Sequence, residues 1–117
     1  MSIDDLLDVL QEAALRRAYI RRSDILDRSA NLIKARLIIA PDLFVQVYRN
    51  DRFDTTNFAL IYNGQRIYAR DQVSGYWHRH TATQPDQHDT SAEGLRPIDL
   101  PEFLDEVETI LAALGLP

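Results

Sequence analysis

Apolar residues near the N-terminus recur with a helical period. Ile3, Leu6, Leu7, Leu10, Ala13 and Ala14 share one face over residues 2–17, which predicts an amphipathic helix. Ser2 suits the N-cap with Asp5 in the first turn, and Arg16 and Arg17 suit the negative end of the helix dipole. The same period returns over 99–114, where Phe103, Leu104, Val107, Ile110, Leu111 and Leu114 form a stripe. Asp99 and Glu102 make a capping-box pair, Pro101 lies in the first turn and Gly115 ends the helix.

Between the two helices the period drops to two. Strand-like runs fall at 19–28, 31–40, 43–50, 56–62, 65–71 and 75–80. In the second, Ile33, Ala35, Leu37 and Ile39 oppose Lys34 and Arg36; in the third, Leu43, Val45 and Val47 oppose Phe44, Gln46 and Tyr48. Short links between successive runs predict an antiparallel meander. The fold expected is α+β: a sheet of five to six strands, with the N- and C-terminal helices packed on one face and the other face open to water. A chain of 117 residues fits one domain.

Asn63-Gly64 is the strongest turn signal, because a two-residue type I′ hairpin needs positive φ at both positions. It sets Tyr62 opposite Gln65 and Ile61 opposite Arg66. Phe58, Leu60, Tyr62, Ile67 and Ala69 then line the core, while Asn57, Ala59, Ile61, Arg66, Tyr68 and Arg70 face outward. A three-residue turn at 72–74 would place Tyr68 opposite His78 and Arg70 opposite Tyr76. A four-residue turn would send the histidines into the core, where unpartnered imidazoles are costly. The first is preferred, and it also gives Trp77 to the core.

Composition narrows the chemistry. There is no cysteine, hence no disulfide, thiol nucleophile or Cys-based zinc site, which suits a reducing cytoplasm. The N-terminus is acidic where a signal peptide would be basic, and no apolar run spans a membrane. The net charge of −5 is unevenly spread. Residues 19–80 hold ten basic side chains against six acids, and residues 81–117 hold one against eight. The sheet is therefore the basic part of the chain.

All three histidines fall within eleven residues: His78 and His80 beside Trp77 and Arg79, then His88 beside Asp89 in a long polar loop over 81–98. On a strand His78 and His80 point the same way, about 6.5–7 Å apart. With Arg66, Tyr68, Arg70 and Tyr76 they would form a basic, aromatic patch on the open face. Such a patch suits metal-free phosphodiester chemistry on RNA. A histidine takes the 2′-hydroxyl proton, a second acid protonates the leaving oxygen, Arg66 and Arg70 clamp the phosphate, and Tyr68 or Tyr76 stacks a base or donates a hydrogen bond. Three alternatives stand beside it. His, Arg and Tyr are ordinary on a half-solvated sheet. His78, His80 and His88 or Asp89 could ligate a metal. The open face, with Phe44, Tyr48 and Ile61, could bind a protein or a second copy of the chain. His88-Asp89 also fits a local loop hydrogen bond.

The stretch Asn57–Asp71, the element Gly75-Tyr-Trp-His-Arg-His80 and then His88-Asp89 resemble the TumE-like toxins of prokaryotic toxin–antitoxin systems. The run Phe44–Asn50 fits the same pattern, and the likeness covers roughly residues 19–89. Thr81 stands where that pattern favours proline, with Pro85 further on. The resemblance implies a toxin, an RNA-cleaving one among the options, neutralised by an antitoxin protein. It points to Arg70, Asp71, Trp77, His78, His80 and His88. The expected site is therefore His78, His80, Arg70 and Tyr68 as catalytic groups and Arg66, Tyr76, His88 and Asp71 as substrate-binding groups, with no metal or cofactor.

Overall fold

The alternating segments form a six-stranded antiparallel meander in sequence order: β1 (Arg22–Arg28), β2 (Leu32–Ala40), β3 (Leu43–Asn50), β4 (Thr55–Tyr62), β5 (Gln65–Val73) and β6 (Tyr76–His80). Helices α1 (Ile3–Arg16) and α2 (Leu100–Leu114) bracket it. The structure is a computed structural model and describes residues 2–81, 83–84, 87–89 and 91–117. Both helices begin as expected. Ser2 and Asp5 close a capping box on α1, Asp99 and Glu102 close one on α2, and Gly115 ends α2 in the left-handed region.

The two helices lie side by side on one sheet face. Leu6 and Leu10 of α1 and Phe103, Leu104, Val107 and Leu111 of α2 pack with Ile33, Leu37, Val45, Val47, Phe58 and Leu60 into one buried cluster. Each such side chain contributes about 1.5–3 kcal/mol by leaving water. Polar clamps hold the helices in place. Arg17 donates to Pro101 O and to Asp105, and the Tyr19 hydroxyl donates to Leu104 O at 2.7 Å. No helix among the described residues is long and apolar enough to cross a membrane.

The β4–β5 hairpin turns at Asn63 and Gly64, both at positive φ, and pairs Tyr62 with Gln65 and Ile61 with Arg66. One step further the register shifts. Leu60 faces Tyr68, so Ile67 is an extra residue on β5, a bulge. A one-residue slip sends every later side chain to the other face. Tyr68, Arg70 and Gln72 therefore join the helix face, and Ala69 and Asp71 join the open face. This corrects the expectation that Tyr68 and Arg70 face water.

The β5–β6 turn is also shorter than expected. Ser74 and Gly75 both sit at positive φ, and Val73 pairs with Tyr76, which makes a second two-residue hairpin. His78 thus faces Asp71, His80 faces Ala69, and Arg79 faces Arg70. The histidines still lie on the open face. Trp77 lies on the helix face against Phe58, with ring centroids 6.2 Å apart. The bulge and the turn together change the neighbours of the histidines, not their side of the sheet.

Candidate active site

Three imidazoles meet at the β6 edge of the open face. Strand alternation brings His78 and His80, and the loop after β6 brings His88. Asp89 lies against that edge as an isolated bridge, its N–H donating to Arg79 O at 2.7 Å. Its carboxylate reaches the helix side of the edge and accepts from Arg79 Nε at 2.7 Å. The preceding residue falls on the opposite side by alternation. The His88 ring therefore stacks on His78, centroids 4.7 Å apart and planes 27° apart, and meets His80 edge-on at 4.7 Å and 83°. His88 is exposed, His78 is half-buried, and His80 is 3% exposed.

His80 belongs to a polar row that runs across the sheet. Gln46 on β3 donates to Asn57 Oδ1 on β4 at 3.0 Å, and Asn57 Nδ2 donates to Asp71 Oδ1 on β5. Asp71 Oδ2 lies 3.1 Å from His80 Nε2, an electrostatic contact rather than an aligned hydrogen bond. Arg66 Nη2 is 3.4 Å from His80 Nδ1. A guanidinium can only donate, so in this contact Nδ1 is the acceptor. Ala59 and Ala69, in the same cross-strand row, leave space for this ring.

Tyr68 and Arg70 lie on the other side of the sheet. Arg70 is fully buried under α2. Its Nη2 donates to Glu106 Oε2 at 2.7 Å and to Glu93 Oε1 at 3.1 Å, and its Nη1 donates to Glu93 O at 2.7 Å. The Tyr68 hydroxyl donates to Glu106 Oε1 at 2.7 Å. Burial, reinforced by that hydrogen bond, pushes the Tyr68 hydroxyl up to about 12, so it remains a neutral donor. Burial works against the charge on Arg70, but its bonds to Glu106 and Tyr68 outweigh that and hold it protonated. Neither side chain reaches the histidines. Sheet parity past the bulge puts them in the α2 interface.

Of the expected residues, the open face brings together His78, His80, His88, Asp71 and Arg66. Tyr76 stands on the same face and is 74% exposed. Asn57 and Gln46 were not anticipated. Their place beside Asp71 follows once β3, β4 and β5 are in register. Among the described residues, no group of three or more His, Asp or Glu side chains is arranged to hold a metal ion. The physical reason is visible in the rings. His78 and His88 stack face to face, so their in-plane nitrogens run alongside each other rather than toward a shared point. Beyond the cluster, the open face carries Lys34, Arg36, Phe44 and Tyr48, with the Arg36 guanidinium 4.6 Å above the Phe44 ring.

Comparison with models of protein families, with curated proteins and with solved structures finds no match to this chain.

Proposed function

We propose that the protein is a TumE-like toxin that cleaves RNA without metal at the histidine cluster. The observation that carries this reading is the stacking of the exposed His88 on the half-buried His78 at the open sheet face, over the buried His80 and its neighbour Arg66. His78 and His88 are the reachable pair. One takes the proton of a ribose 2′-hydroxyl as its oxygen attacks phosphorus. The other gives a proton to the departing 5′-oxygen. The products are a 2′,3′-cyclic phosphate and a free 5′-hydroxyl. Arg66 offsets charge on the phosphoryl oxygens, and Tyr76 offers an exposed ring for a base. His80, turned inward between Asp71 and Arg66, supports the pair rather than acting on substrate.

Lys34 and Arg36, with Tyr48 opposite Lys34 and Phe44 beside Arg36 on the neighbouring strand, give the same face the basic and aromatic character that a single strand needs. An antitoxin protein that neutralises the toxin would cover this face. The test is incubation of purified protein with RNA in excess chelator. Cleavage leaving 2′,3′-cyclic ends and free 5′-hydroxyls is expected. Cleavage abolished by the chelator would contradict the metal-free reading.

A second reading has one observation behind it. His80, Arg70 and Arg79 are all held in internal contacts, as they would be in a non-catalytic interaction module. Folded protein that cleaves no RNA under any condition would favour that module.

A further inference from the structure

We infer, on the reading that His78 and His88 act as the acid–base pair, that Asp89 is a positioning residue whose bridge to Arg79 sets His88 against His78. A chain of contacts converges on that role. The Asp89 N–H donates to Arg79 O, which fixes the loop to the β6 edge at one point. One backbone bond leaves a loop free to pivot, and the carboxylate removes that freedom. One carboxylate oxygen accepts from Arg79 Nε at 2.7 Å, and the other accepts from the Ser91 N–H at 3.0 Å. The chain then folds back on itself. The Gly94 N–H donates to Ser91 Oγ at 3.2 Å, and a Cβ on Gly94 would lie 2.3 Å from Asp89 O. Only glycine fits that approach. At Glu93, which immediately precedes Gly94, Arg70 grips both the backbone oxygen and the carboxylate.

The two arginines thus act from the helix side of the sheet on a ring that sits on the open side. Asp89 and His88 are consecutive, so fixing one on its side aims the other. Asp89 touches no part of the reacting surface and works only through His88.

The experiment uses the full chain with Asp89→Ala, Asp89→Asn and Gly94→Ala. Two readouts are taken: nuclear Overhauser contacts between the His78 and His88 rings, and kcat and KM for RNA cleavage. Wild type should show the ring contacts. Asp89→Ala should lose them and drop kcat about 10–100-fold, with KM changed less than about twofold. Asp89→Asn keeps an oxygen for Ser91 and loses the charged bond, so it should fall between. Gly94→Ala should lose the ring contacts by displacing the Asp89 backbone, and it carries the test if Asp89→Ala does not fold. Ring contacts that persist in Asp89→Ala overturn the inference, as does a loss confined to KM. Should the wild type cleave no RNA, the ring contacts alone still decide the positioning role, while the ribonuclease reading falls separately.

Discussion

Arg70 shows how far one side chain's role depends on its side of the sheet. Read in register with Asn63-Gly64, it is an outward cation fit to hold phosphate. One extra residue at Ile67 turns it inward, where it ties β5 to Glu106 of α2 and to Glu93 of the loop that precedes α2. Glu106 is only partly exposed, so removing the guanidinium leaves a carboxylate short of water, with its charge unpaired and only the Tyr68 hydroxyl bonded to it. Arg70→Ala should therefore destabilise the fold by about 3–5 kcal/mol, read as a lower denaturation midpoint in urea. A change of a few tenths would show that the buried pair contributes nothing. The side of the sheet taken by His78 and His80 was legible because Trp77 is the better core residue; the cost of burying imidazoles did not foretell that His80 is covered beside Asp71 and Arg66. The sides of Tyr68 and Arg70 were not. Parity is lost at a bulge, and nothing in Arg66-Ile67-Tyr68 marks one.

At the scale of elements, caps and turns carried the most information. Both helices start on the residues their capping boxes name, since orphan N–H groups must find those oxygens. Asn63-Gly64 was legible as a type I′ turn, and Ser74-Gly75 makes the same turn with a less distinctive first residue. Gly64 has open space where a Cβ would stand, so its cost of substitution is conformational alone. Gly64→Ala should cost about 1–2 kcal/mol in thermal or urea unfolding, and no loss would mean the hairpin tolerates another turn. The loop that returns His88 was not legible in detail, because it is held by a backbone bridge and by ion pairs rather than by a periodic pattern. Its Asp89 carboxyl is lowered from 3.8 to about 2 by the Ser91 N–H and by Arg79. A lowered carboxyl favours the docked form above its ordinary value and loses that contribution as pH falls through the folded value. The Asp89 amide resonance should stay constant from neutral pH to about 4 and move between about 4 and 2. Movement centred well above pH 4 would mean another group governs the docking.

Across the whole molecule, the two faces of one sheet divide the work. The helix face holds the core and the buried Arg70 network, and α2 adds acid there through Glu106. The open face gathers the three histidines, Asp71 and Arg66, and extends through Lys34 and Arg36. That division was legible in the alternation of β2 and β3 and in the basic middle segment of the chain. The meeting of His88 with His78 was not, since it depends on a contact between an edge and a loop. The central claim is that this meeting point cleaves RNA, and it makes a sharp demand on His78, which is half-buried at the surface rather than part of the core. The most direct measurement is RNA cleavage by wild type and His78→Ala, side by side with their thermal unfolding. The account predicts that the variant loses cleavage by about 100-fold or more while its Tm moves by less than about 4 °C. Equal cleavage by the two proteins would contradict it, as would a loss of cleavage matched by a loss of fold.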